Sequence, residues 1–286
     1  MTFYDLSIIT NTGFPYYHLV LKKTPKGENL FLRFFDFSKD TLETKIQLDP
    51  TSSFELNAGL VSALFEFARN INKKIEILEF TTDKESKNFS EERSSYKGDV
   101  LITTQTESYL LHKSVKEKIK LIYNLIIAEK VPLDSALEIL QNEVDKITEI
   151  LTDSEARKRV KNRKKDISQL GNELLTEMKD YGLKGICITS FDLSPITTFG
   201  NKYELKDIDI ILRNIRLFPE ISALEWDFRQ SNFGDEKIWV YIVKSGVGPT
   251  VNGLFQPYFY LLIADPLSYL GEFPGKLAMK FNQILG

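Results

Sequence analysis

The chain has 286 residues, 42% hydrophobic and 12% aromatic, which is enough to bury two cores of ordinary size and excludes a disordered chain. A net charge of -3 gives no overall attraction to nucleic acid or anionic membrane, so any such contact must come from a local patch. The single cysteine, Cys187, rules out an internal disulfide. With only two histidines and no HExxH or CxxC spacing, a zinc site is set aside as well.

The first residues alternate as a hairpin, with a strand over 6–10, a turn at Asn11-Thr12-Gly13 and a returning strand over 16–22. A further strand is predicted over 30–37, although Phe31, Phe34, Phe35 and Phe37 load both of its faces. Residues 49–53 have helix-capping chemistry. Beyond them Leu56, Leu60, Leu64, Phe67, Ala68 and Ile71 recur every three or four positions, as in an amphipathic helix over 54–70. Strands over 74–81 and 99–111 follow, separated by a polar loop over 83–98. A helix over 115–130 presents Ile119, Ile122, Tyr123, Ile126 and Ile127 on one face and closes at Pro132.

From Leu133 to Tyr181 the periodicity is the clearest in the chain. Leu133, Leu137, Leu140, Val144, Ile147 and Leu151 form one narrow helical seam that wants a partner, either a second copy or another helix. Val160, Ile167, Leu170, Leu174 and Met178 continue it less regularly. The segment is one long helix, or two helices meeting near Thr152, where Thr152 and Glu155 stand at capping-box spacing with Asp153 and Ser154 beside them.

After this connector the order of elements returns. A hairpin is predicted over 185–199 with its turn at Leu193-Ser194-Pro195, and a helix over 203–217 turns Ile208, Ile211, Leu212 and Ile215 inward. Strands follow at 223–229, 237–244 and 258–264, and a helix over 276–285 ends the chain. The predicted division is 1–131, a helical connector at 132–182 (hairpin or coiled coil), and 183–286, all of α+β class.

Hairpin, helix, strand block, helix, met twice, resembles the longin and roadblock superfamily of antiparallel sheets flanked by helices. The local pieces that carry the resemblance are Ile8-Ile9-Thr10-Asn11-Thr12-Gly13-Phe14-Pro15 in the first half, and residues 186–195 and 208–217 in the second. The first half departs by a longer insertion before its helix (24–50), the second by a glycine-rich loop. The resemblance implies a platform and not an enzyme, without cofactor. It would bind a small Ras-like GTPase as exchange factor or scaffold in a trafficking-like system, or a longin or roadblock partner protein as a homo- or heterodimer. Candidate contact positions are polar residues of the first helix in each half: Asn57, Ser62 and Arg69, then Arg213, Asn214 and Arg216. The plain reading of all six is a solvated helix face.

Other chemistry is sparse. His18 and His112 sit among apolar strand residues and read as hydrogen-bonded structural groups. Asp192, Asp207, Asp209, Asp227 and Asp265 do not converge in spacing, so a surface placement is expected for them. The loop from Ser245 to Gly253 lacks the Gly-Lys-Ser/Thr of a phosphate loop and reads as a hairpin loop. The basic patch Arg157, Lys158, Arg159, Lys161, Arg163, Lys164 and Lys165 has no interleaved aromatic residue. That leaves peripheral contact with anionic membrane open, and DNA is not expected. A SNARE-like or basic-helix membrane- or nucleic-acid-associated protein, and an enzyme of unrecognised class, remain the alternatives. With no leader or spanning stretch, a cytoplasmic protein is expected.

Overall fold

The alternating start forms the expected hairpin, β1 (Asp5–Thr10) against β2 (Pro15–Val20). The structure is a computed structural model that describes residues 2–10, 15–25, 27–37, 59, 62–64, 66, 68–70, 100–131, 138–215, 218 and 220–286. Met1–Phe37 and Asp99–Gly286 form one unit, and Ser38–Gly98 a second. In the second unit every described position between 59 and 70 is helical, as the spacing there predicts. The strand expected over 74–81 and the loop over 83–98 lie outside the described residues.

In the first unit β3 (Leu30–Asp36) and β4 (Val100–Glu107) complete an antiparallel sheet of order β2-β1-β4-β3. Leu6, Ile8, Phe35 and Ile102 are buried; His112 of α1 (His112–Ile122) stacks on Phe35 of β3, and Tyr123, just after the helix, stacks on Phe37, just after the strand. The strand expected to reach 111 stops at Glu107, whose carbonyl accepts from the Leu110 N–H in a turn. That turn starts α1 three residues earlier than predicted. A single π turn, Tyr123–Ile127, ends it and keeps Ile126 and Ile127 buried.

Among its described residues the connector holds three α-helices, α2 (Gln141–Leu151), α3 (Ser154–Asn162) and α4 (Lys164–Met178). Backbone breaks separate them: Asp153 adopts φ 53°, and Arg163 has φ -100°, ψ 13°. The first break falls where capping chemistry pointed, yet Thr152 is not the cap. Its hydroxyl donates back to Thr148 O, and Asp153 occupies the N-cap position. Of the seam, Ile147 and Leu151 are buried, Leu140 is 51% exposed, and Leu133 and Leu137 lie outside the described residues. The apolar residues of α3 and α4, among them Val160, Ile167 and Leu174, enter the core of the second sheet. Of what reads in sequence as a spacer, α3 and α4 are therefore one layer of the second half.

That half contains β5 (Leu183–Thr189), β6 (Pro195–Phe199), α5 (Leu205–Arg213), β7 (Trp226–Phe233), β8 (Glu236–Lys244), the short hairpin β9 (Thr250–Val251) and β10 (Leu254–Phe255), β11 (Phe259–Ala264) and α6 (Phe273–Leu285). Its five-stranded antiparallel sheet runs β6-β5-β11-β8-β7. Central β11 is buried at all six positions, as a strand covered on both faces must be. One face packs on α3, α4 and α6. Toward the other, α5 turns in Ile208, Ile211 and Leu212, and the Ile211 carbonyl accepts from Ser231 Oγ on β7. Gly171 in α4 lets that helix approach the sheet, since a Cβ there would lie 2.5 Å from the Phe199 ring. The result is an α+β protein of antiparallel sheets and helices.

Candidate functional site

The densest constellation of charge is buried. Lys118 occupies a position on the inward stripe of α1, between Val115, Ile119 and Ile122, and its ammonium reaches Asp153 Oδ1 at 2.6 Å and Asp192 Oδ2 at 2.5 Å. All three side chains are essentially inaccessible. Rings of Phe3 and Phe191 lie 5.2 and 5.6 Å from the same ammonium. Asp192 sits in the β5–β6 turn, where Oδ1 accepts from Ser190 Oγ and from the Ser194 N–H. Burial pushes its carboxyl up, but the charge and hydrogen bond of Lys118 outweigh this and hold it below its usual range. Asp153 carries the opposite shift, from 3.8 to about 6, through burial first and the neighbouring Asp192 charge second. Burial lowers the Lys118 ammonium, and the two carboxylates more than restore it. The surface placement expected for Asp192 is thus corrected: it is fully buried because a cation and two turn donors converge on it.

A second polar joint lies beside it. Arg213 at the end of α5 donates from Nε and Nη2 to the Glu107 carboxylate, each at 2.8 Å, and its Nη1 pairs with Glu28 at 2.8 Å. Tyr4 donates its hydroxyl to the same Glu107 at 2.5 Å, and Tyr109 donates to Asp209 at 2.6 Å. Burial raises the Glu107 carboxyl, while the bonds from Arg213 and Tyr4 bring it down below the usual range. Asp209 is likewise drawn inward. Burial also pushes the Cys187 thiol far up, which leaves it without thiolate reactivity.

Of the predicted contact positions, Ser62 and Arg69 are exposed on the helix of the second unit. Arg213 is tied to Glu107 and Glu28, and Asn214 donates from Nδ2 to the Asn232 carbonyl. Asn57 and Arg216 lie outside the described residues. The two histidines are bonded as expected, His18 to Ser7 Oγ at 2.8 Å and His112 to Arg33 at 3.3 Å.

The basic patch forms the elbow between α3 and α4. Arg159 pairs with Glu155, and Arg157 donates to Thr152 O and Ser194 Oγ. Lys158, Lys161, Arg163, Lys164 and Lys165 are exposed and have no acidic partner among the described residues. A groove of about 230 Å³ runs between this elbow and β6. A larger recess of about 510 Å³, between α2 and the β9–β10 hairpin, is lined by Asn142, Asp145, Lys146, Glu149, Asn252 and Gln256. At the opposite border of the second sheet, β7 has one strand neighbour among the described residues, β8, and carries Phe228, 41% exposed and stacked on Trp239 at 4.8 Å.

The chain matches no protein-family model, and no curated protein matches it. The described residues contain no cluster of three or more possible metal ligands, and none of their helices is long and apolar enough to cross a membrane. Lys118 and Glu107 were missed as polar anchors. A signal existed for Lys118, since it stands at the i+3 position of the Val115, Ile119, Ile122 stripe, where a charged residue needs a buried partner.

Proposed function

We propose that this protein is an interaction platform of longin and roadblock type, two such units in one chain, that binds a small Ras-like GTPase as exchange factor or scaffold in a trafficking-like system. The observation that supports this reading is the second sheet: a hairpin, a helix, three long strands and a closing helix in chain order, with five antiparallel strands between helical layers. The first sheet fits less closely. Its third strand, β3, precedes the helical segment at 59–70, and four strands are described.

In this reading the contact is made by β7. A strand with no neighbour on one side among the described residues offers backbone donors and acceptors to an extended switch segment, and Phe228 on Trp239 supplies an aromatic anchor beside them. Ser62 and Arg69 remain open to a partner on their own helix, whereas Arg213 and Asn214 serve internal contacts. Exchange activity would follow if the held switch segment stabilised the nucleotide-free form, since a ligand shifts an equilibrium only by its differential affinity for the two states.

The test is capture of purified small GTPases in nucleotide-free, GDP-loaded and GTP-loaded forms. One GTPase should be retained with a preference among the three states, and Phe228→Asp should abolish its retention while circular dichroism stays unchanged. Retention of none, or retention indifferent to Phe228→Asp, rejects the reading.

A further inference from the structure

The elbow of α3 and α4 stands opposite β7, at the other border of the second sheet, where β6 has β5 on one side and no strand on its other side among the described residues. Between elbow and strand lies the 230 Å³ groove. Its rim is cationic and hydroxylic: Arg157 and Lys161 one turn apart on α3, Lys164 and Ser168 one turn apart on α4, and Thr197 on β6. Its floor is apolar, made of Val160, Ile167, Ile196 and Phe199. From this geometry we infer that the groove binds an extended acidic segment of a partner protein, which adds to β6 as a further strand with alternate acidic and apolar side chains.

Three observations carry the inference. Arg157 is preorganised, because Nε donates to Thr152 O and Nη2 to Ser194 Oγ, each at 2.8 Å, which leaves Nη1 without a partner among the described residues. A guanidinium fixed in this way loses little freedom on meeting a carboxylate. Next, Lys161 and Lys164 carry no ion pair among the described residues, and like charges one turn apart, as at 157 and 161 on α3, weaken a helix unless anions offset them. Last, the recess has an apolar floor beside an unpaired strand edge. A lipid surface would need only the outward cations, whereas an edge strand beside alternating subsites is what strand addition uses. A nucleic-acid strand is disfavoured by the lack of any aromatic residue among the rim cations. The inference does not rest on the GTPase reading, which concerns the other border of the sheet.

The experiment uses the full chain as bait in a display selection of random twelve-residue peptides, with Lys161→Glu/Lys164→Glu as counter-bait. Both lysines are exposed, so the variant should keep the circular dichroism of the parent. Enriched peptides should alternate Asp or Glu with Val, Ile or Leu, and should bind the variant at least tenfold more weakly. N-methylation of the enriched peptide should abolish binding at alternate residues, those whose N–H faces β6, and be tolerated at the residues between. Phe228→Asp should leave this binding unchanged, which separates a failure here from a failure of the GTPase reading. Peptides that bind parent and variant equally, or that tolerate N-methylation at every position, overturn the proposal. So does binding of phosphatidylserine vesicles or single-stranded RNA that depends on Lys161 and Lys164 when no peptide is enriched.

Discussion

Replacing Lys118 with Met removes the cation between two buried carboxylates and keeps an unbranched side chain one atom shorter. In the parent the ammonium lies 2.6 Å from Asp153 and 2.5 Å from Asp192, with all three groups at 0–1% exposure. Breaking a buried pair on one side leaves an uncompensated charge and typically costs about 3–5 kcal/mol. Here two carboxylates are left, so a loss near the upper end, about 5 kcal/mol at pH 7.5, is expected in urea unfolding followed by Trp226 and Trp239 fluorescence. The pH dependence identifies the cause. Asp153 already has a raised folded-state pKa, 3.8 to about 6, so its contribution to stability is fully present below 3.8 and is lost as pH rises through 6. That shift corresponds to about 3 kcal/mol at about 1.4 kcal/mol per unit. Without Lys118 both carboxyls move up, protonation relieves the folded state more than in the parent, and the deficit of Lys118→Met must narrow between pH 7.5 and pH 5. Asp153→Asn is the converse probe. It leaves Lys118 with Asp192 alone, should flatten the slope between pH 4 and 6, and should stay within about 1 kcal/mol of the parent at pH 7.5. A Lys118→Met deficit below about 1 kcal/mol, or one that does not change with pH, would refute the electrostatic account.

Arg213→Ala should destabilise by about 2–4 kcal/mol, because it strands Glu107, 2% exposed, with Tyr4 as its remaining donor, and Arg213→Lys should recover part of the loss. The same urea titration on Ser62→Ala and Arg69→Ala, both exposed, should show changes within about 0.5 kcal/mol. Gly248→Ala should lower the melting temperature by several degrees, since its Cβ would fall 2.0 Å from the Gln256 carbonyl oxygen in the loop that carries β9 and β10. Capture of a GTPase at β7 should change little between 50 and 200 mM salt, whereas peptide binding at the elbow should weaken severalfold over the same range.

The apolar pattern carried two kinds of element, a helix with one buried face and a strand buried on both. The pattern Ile208, Ile211, Leu212 placed α5, and the continuous apolar run at 258–264 placed β11. Sequence could not show where the seam of 140–151 is satisfied. An amphipathic stripe records that a helix is covered, and a partner chain or the helix's own sheet covers it equally well. Here Ile147 and Leu151 are buried on α2, which packs against α1, and the less regular run over 160–178 belongs to the core of the second sheet through α3 and α4. The ends of elements were displaced wherever a turn was set by a distant residue. β4 stops at Glu107, in a turn where Arg33 reaches the Leu110 carbonyl from 77 residues away. The carboxylates were hardest to place. Asp192 differs from Asp227 in no local feature of spacing, and what buries it, Lys118 and Asp153, arrives from helices 74 and 39 positions earlier. For the elbow, the seven cations were legible as a patch, but the edge of β6 and the fixed Arg157 beside it were not.

The buried triad and the elbow groove meet in one turn, and this gives the triad a role beyond stability. Asp192 Oδ1 accepts from the Ser194 N–H, and Ser194 Oγ accepts from Arg157 Nη2 at the lip of the β6 groove. Asp153 sits at the start of α3, one helical turn before Arg157, whose N–H bonds the Asp153 carbonyl. Lys118 therefore fixes both ends of the frame that holds Arg157, through Asp192 and the β5–β6 turn on one side and through the break that begins α3 on the other. Lys118→Met should lower the affinity of an acidic peptide for the groove even at a temperature where the variant remains folded, with Arg157→Gln showing a loss of similar size. In the double variant the two losses should not add, because both remove the same oriented guanidinium. Additive losses would mean that the triad and the groove act independently, and the triad would then be a device of stability alone.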